Sequence, residues 1–170
     1  MLKEWIKAII LLPFNVLIVI PALILYFNGY KYSFNGFLTS FIGISLLICG
    51  MTLAIYTMLL FNKFGKGTAA PWAPPKHLVI KGPYKYVRNP MITAVLSILI
   101  AESLLLNSIE IFYWFIVFWV INMIYFPLVE EKQLKARFKE EYLEYIKHVP
   151  RWIPRLTPWE KEIYKQHSSC

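Results

Sequence analysis

The chain has 170 residues, of which 58% are hydrophobic and 16% charged, and its mean hydropathy is +0.50. Such a composition is too apolar for a water-soluble domain of this size and predicts an integral membrane protein. The net charge of +8 lies in blocks between apolar stretches, which is typical of a protein facing anionic lipid, and the absence of a recognition motif argues against nucleic acid as a partner.

The first two apolar stretches predict a pair of membrane helices. One runs from about Trp5 to Phe27 and is interpreted as an uncleaved anchor, with a kink expected from its internal prolines. The other runs from about Gly36 to Phe61. It carries small residues at alternating spacings of four and three, which predict a close helix contact. This stripe consists of Gly36, Ser40, Gly43, Leu47 and Gly50.

A long connection from Asn62 to Asn89 follows, and its glycines, prolines and aromatic residues predict an ordered, functional loop. Pro90 suits the first position of a third apolar helix, which ends near Leu106. The polar pair at 107–108 then predicts a tight break before a fourth span, Ile109 to Val129.

The segment from Glu130 to about His148 is charged but periodic, so it predicts an amphipathic helix. Its apolar side is expected to rest on the membrane surface or on the central loop. That side is formed by Leu134, Phe138, Tyr142 and Tyr145.

The predicted fold is an all-α integral membrane protein, with about four transmembrane helices and a cytoplasmic amphipathic C-terminal helix. Residues 1–170 form one membrane domain that begins with a helical hairpin, 1–61. Lys and Arg concentrate in the N-terminus, the central loop and the C-terminal segment, and the third connection has none. These three basic segments are therefore expected on the cytoplasmic side.

Several motifs occur together in order: the Gly82–Pro90 segment, the Glu130–Glu131 pair, the Phe138–Tyr145 run and the Val149–Arg151 triplet. In this combination the chain resembles the isoprenylcysteine carboxyl methyltransferase family, part of a wider group with the phospholipid methyltransferases, over about residues 65–158. The resemblance implies a membrane methyltransferase that uses S-adenosylmethionine. It also implies that the C-terminal half, 62–170, holds this cofactor at the cytoplasmic face.

Site residues carried over from the resemblance lie in two separate stretches. Physical chemistry agrees in outline, because Arg88 can pair with a carboxylate and Glu130 or Glu131 can accept from an ammonium or a ribose hydroxyl. Arg88 and Glu131 are the candidate catalytic residues, and an amine acceptor would need a base from the glutamate pair or from His77. The implied cofactor-binding residues are Lys76, His77, Leu78, Val79, Tyr84, Asn89, Pro90, Met91, Ile92 and Glu130.

The methyl acceptor stays open as a carboxyl, thiol or amine on a lipophilic small molecule or lipid that enters from the bilayer. Arg88–Ile92 reads Arg-Asn-Pro-Met-Ile where the family pattern has Arg-His-Pro-x-Tyr. The alternatives are a sterol-reductase-like, NADPH-dependent membrane reductase and a membrane adaptor without activity.

Other titratable residues have both a structural and a functional interpretation. Glu102, inside the third apolar stretch, is either functional or held by a local hydrogen bond. Tyr142 and Tyr145 are expected to pack at an interface. No metal-ligand cluster is expected from three scattered histidines and two distant cysteines, Cys49 and Cys170, whose roles stay open together with the oligomeric state.

Overall fold

The computed structural model describes residues 10–66 and 74–160, with side chains from Pro13 onwards. Within these ranges the chain is helical and contains no β-strand, which confirms the all-α prediction. The predicted start of the first span at Trp5, the loop residues 67–73 and the end of the chain with Cys170 lie outside the described residues.

Five α-helices organise the described residues, and prolines mark several of their boundaries. In chain order they are α1 (Ile20–Phe27), α2 (Phe37–Leu60), α3 (Pro90–Leu105), α4 (Ile109–Tyr125) and α5 (Glu131–His148). Three π-helical segments adjoin these helices: Ile10–Val19 before α1, Phe61–Gly65 after α2 and Phe126–Glu130 between α4 and α5.

Helices α2 and α3 run antiparallel and approach closely at two glycines. A Cβ added at Gly43 would lie 2.8 Å from Leu105 Cγ, and one added at Gly50 would lie 2.8 Å from Ile98 Cγ1. Because no side chain fits at either position, the backbones can approach each other more closely than larger residues would allow. The predicted close contact along the small-residue stripe is therefore confirmed at these two positions.

The α3–α4 turn and the first connection lie at the same end of the bundle. Ser108, in the predicted polar break, caps α4 by accepting a hydrogen bond from the Ile111 N–H. Asn107 Nδ2 donates to Ser33 Oγ at 2.8 Å, and the Tyr30 hydroxyl donates to the Leu106 carbonyl. The central loop and the C-terminal segment meet at the opposite end, where the Arg88 N–H donates to the Pro150 carbonyl at 2.9 Å.

Among the residues that the structure describes, two helices are long and apolar enough to cross a membrane, Phe37–Gly65 and Ile109–His148. The helices Pro13–Phe27 and Pro90–Leu105 are apolar but shorter, so the predicted total of four spans stays a prediction. Large side chains on the outer faces of the long helices, such as Phe41 and Val120, are exposed. A soluble monomer rarely exposes so much contiguous apolar surface, so a lipid environment accounts for it.

Only part of the second long helix is apolar. A straight α-helix of its 40 residues would extend about 60 Å, twice the roughly 30 Å of a bilayer's hydrocarbon core. The apolar part ends at Val129, so we expect Glu130 and α5 to lie outside the spanning segment.

Helix α5 corresponds to the predicted amphipathic helix, but it begins one residue later, at Glu131. Its backbone breaks at Lys139, where φ is 46°. Its apolar side lies partly on the central loop, which was one of the two expected surfaces. The buried cluster there consists of Tyr142, Tyr145, Val149 and Trp159, with Leu78, Ile80, Leu134, Phe138 and Ile146 packed against it.

Candidate functional site

A cavity of about 660 Å³ lies between the helices and is covered at one end by the central loop and α5. This volume is in the usual range for a site that holds a small molecule. Nine of the twelve predicted site residues line it, although they come from distant parts of the chain. They are His77, Leu78, Val79, Tyr84, Arg88, Asn89, Met91, Ile92 and Glu130.

Three predicted site residues do not line the cavity. Lys76 is exposed, and its N–H donates to the Gly65 carbonyl at 2.8 Å, so it fixes the loop to the end of α2. Pro90 is fully buried as the first residue of α3. Glu131 is buried and turned toward two arginines.

Glu131 is the centre of a buried charge network. Its Oε1 accepts from Arg88 Nη1 at 3.0 Å and from Arg151 Nε at 2.6 Å, and its Oε2 accepts from Arg151 Nη2 at 3.0 Å. Arg151 therefore holds the carboxylate with two parallel hydrogen bonds, the strongest arrangement for this pair. Both carboxylate oxygens already accept hydrogen bonds from arginines. Glu131 is therefore better suited to orienting Arg88 than to accepting a proton.

Backbone hydrogen bonds attach the C-terminal segment to the central loop beside this network. The Arg155 N–H donates to the Tyr86 carbonyl and the Trp159 N–H to the Lys85 carbonyl, both at 3.0 Å. The Tyr145 hydroxyl donates to the Tyr84 carbonyl at 2.7 Å. The loop that carries Arg88 is thus fixed from two sides by residues that follow α4.

Two hydrogen-bond donors at the cavity lack partners among the described residues. They are Arg88 Nε and Asn89 Nδ2, and both atoms are buried. Asn89 precedes α3 at the N-cap position, but its side chain makes no capping hydrogen bond. The partial positive charge of the α3 N-terminus, next to Met91 and Ile92, adds to these donors. This part of the cavity is therefore suited to an anionic group.

Glu130 supplies a carboxyl group on the facing wall of the cavity. It is the last residue of the π-helical segment that contains Pro127. Glu130 lines the cavity, whereas the next residue, Glu131, points to the arginines. Burial and the neighbouring Glu131 carboxylate raise the pKa of Glu130 to about 7. Glu130 can therefore gain or release a proton near neutral pH.

Aromatic side chains complete this polar end. Tyr84, Tyr142 and Tyr145 line it, and the Tyr84 ring lies 5.3 Å from that of Phe61. The sequence predicted Tyr142 and Tyr145 only as packing residues, because helical spacing identifies a buried side but not what that side faces. Tyr125, Asn122 and Arg137 also line the cavity, and no pattern in the sequence singled them out.

Comparison with known proteins identifies a family for this chain. A family model described as phospholipid methyltransferase matches residues 38–141, more than half of the chain. The matched region begins in α2 and ends within α5, so it includes Arg88 and both glutamates but not Arg151. No curated protein and no solved structure matches the chain.

Proposed function

The chain belongs to the phospholipid methyltransferase family, and from this premise we propose that it transfers a methyl group from S-adenosylmethionine to a lipophilic acceptor. The observation that carries the proposal is a single cavity with a polar end and an apolar remainder. The polar end suits a charged donor molecule, and the apolar part suits an acceptor from the bilayer.

The polar end fits the chemical groups of S-adenosylmethionine. The unpartnered donors Arg88 Nε and Asn89 Nδ2 would bind its carboxylate, together with the α3 N-terminus. Glu130 would accept a hydrogen bond from its ammonium group or its ribose. Tyr84 and Tyr142 offer aromatic surfaces on which a cation is stabilised.

The apolar part of the cavity supports a lipophilic acceptor. Leu47, Met51 and Ile55 of α2 line it, and Val95 and Ile98 of α3 face the same space. These residues lie on helices that are apolar along most of their length, so an acceptor would reach the cavity from the membrane. The concentration of Lys and Arg supports placing the polar end toward the cytoplasm.

When bound, S-adenosylmethionine supplies an electrophilic methyl group. It would transfer this methyl group to the acceptor's nucleophilic atom and would itself leave as S-adenosylhomocysteine. The chain's residues hold the two partners in line and exclude water, which increases the rate without a covalent enzyme intermediate. If the acceptor is a neutral amine or thiol, Glu130 in its carboxylate form is placed to take the proton.

The test is incubation of the purified protein in lipid nanodiscs with methyl-labelled S-adenosylmethionine and a lipid extract of the host. We expect a labelled, organic-soluble product that is absent with Glu130→Gln. Binding of S-adenosylhomocysteine, measured by calorimetry, separates the alternatives. NADPH binding without S-adenosylhomocysteine binding would favour the reductase, and no binding of either would favour the adaptor.

A further inference from the structure

The cavity has a second polar group far from Arg88. Glu102 lines it near the end of α3, and Glu102 Oε2 is buried without a hydrogen-bond partner among the described residues. Glu102 lies twelve residues after Pro90, which is about 18 Å along the helix axis. A buried polar atom without a partner costs free energy, so a ligand that satisfies it would bind more tightly.

Glu102 lies at the closed end of the cavity. Beyond it, Gly43 of α2 lies against Leu105, and the Tyr30 hydroxyl bonds to the Leu106 carbonyl. None of these four residues lines the cavity, whereas Glu102 does. The helices therefore meet just past Glu102, and a long ligand that enters from the polar end would finish beside its carboxyl group.

The stretch between the two ends restricts what such a ligand can be. Its walls are mainly apolar, from Met51 and Ile55 on one side to Val95 and Ile98 on the other. The amide group of Asn122, which also lines the cavity, donates to the Phe118 carbonyl at 2.7 Å. A polar chain would lose its hydration there without replacement hydrogen bonds. Only a ligand with an apolar middle and a polar group at each end matches the whole cavity.

We propose that Glu102 binds a hydroxyl or amine group at the end of an aliphatic acceptor, opposite the end that receives the methyl group. The assignment of the receiving end rests on the proposed function, whereas the binding site at Glu102 does not. An acceptor with a plain alkyl end would leave Oε2 unsatisfied, so the site discriminates against it. Glu102 is thus a specificity residue for two-ended amphiphiles.

The test uses a photoreactive palmitate that labels the full-length protein in nanodiscs, with palmitate, ω-hydroxypalmitate and ω-aminopalmitate as competitors. We expect ω-hydroxypalmitate or ω-aminopalmitate to block labelling at concentrations at least about tenfold lower than palmitate, as one buried hydrogen bond provides. Glu102→Leu should abolish this preference while palmitate still competes. Glu110→Gln is the control, because Glu110 lies next to the α3–α4 turn but does not line the cavity. This variant should keep the preference.

Several outcomes would overturn the site. They are equal competition by the three compounds on the wild-type protein, a preference that survives in Glu102→Leu, and no labelling by the photoreactive palmitate. Glu102→Gln controls for misfolding of Glu102→Leu. Its amide oxygen can still accept a hydrogen bond from a hydroxyl group, so this variant should keep part of the preference for ω-hydroxypalmitate. Since labelling needs no methyl transfer, a preference without methylated product would refute the proposed function and leave this site standing.

Discussion

Arg88 Nη1 lies 3.0 Å from Glu131 Oε1, although 43 residues separate the two in the chain. Arg88 has 13% of its side chain exposed and Glu131 has 8%, so water screens their attraction little. Arg151 completes the network from the other side of Glu131. One buried carboxylate therefore joins the central loop, the start of α5 and the C-terminal segment beside the cavity.

Replacing Glu131 should destabilise the protein strongly. Glu131→Ala leaves the largely buried Arg88 without its counter-charge and removes the carboxylate that the partly exposed Arg151 binds. Breaking a buried pair typically costs about 3–5 kcal/mol. The free energy of unfolding in detergent measures the loss. Glu160→Gln is the matched control, because Glu160 pairs with Lys85 at the surface and its loss should cause no detectable change. Equal stability of the two variants would contradict the structural role of Glu131.

Replacing Arg88 by lysine should weaken the binding of S-adenosylhomocysteine more than it lowers the stability of the protein. Lysine keeps the positive charge but lacks the Nε donor that faces the cavity without a partner. Loss of one such hydrogen bond predicts a Kd about tenfold higher by calorimetry. Arg155→Lys, a change at a residue that does not line the cavity, should leave the Kd unchanged.

Binding of S-adenosylhomocysteine should strengthen as the pH rises from about 6 to about 8. The pKa of Glu130 is raised to about 7, so its carboxyl becomes an anion over this interval and attracts the ligand's ammonium group. Glu130→Gln should bind weakly and remove this pH dependence. His77 also lines the cavity, and His77→Gln should preserve the pH dependence if Glu130 is the responsible group.

The same carboxyl group should lower the stability of the ligand-free protein at alkaline pH. Because its pKa is higher in the folded state, folding takes up a proton between about pH 4.5 and 7, and stability falls as pH rises through that window. Glu130→Gln should therefore be more stable than the wild type at pH 8, by on the order of 2–3 kcal/mol. A gap that fails to narrow at pH 5 would contradict this explanation.

Gly50→Ala should separate α2 from α3. The added Cβ would lie 2.8 Å from Ile98 Cγ1 and 3.1 Å from the Ala94 carbonyl oxygen, which belongs to the backbone and cannot rotate away. We expect about 1–3 kcal/mol of destabilisation, measured by thermal unfolding. Cys49→Ala, at the exposed neighbouring position on α2, should change little. If the two variants unfold alike, the helices are less closely packed than the structure indicates.

The sequence predicted well the features that depend on local chemistry. Pro90 begins α3 because its ring favours a first helical position, and the polar pair 107–108 separates α3 from α4 as the predicted tight break. Gly43 and Gly50 contact α3 because they recur on one side of α2. The family motifs likewise selected nine residues that do line the cavity.

The sequence by itself thus determined an apolar, helical chain with two chemically rich stretches and a family resemblance. Only the tertiary structure decided that Glu130 faces the cavity while Glu131 is held by two arginines, and that Tyr142 lines the site. The physical reason is that periodicity reports which side of a helix is buried, whereas the partner on that side is chosen by the whole fold.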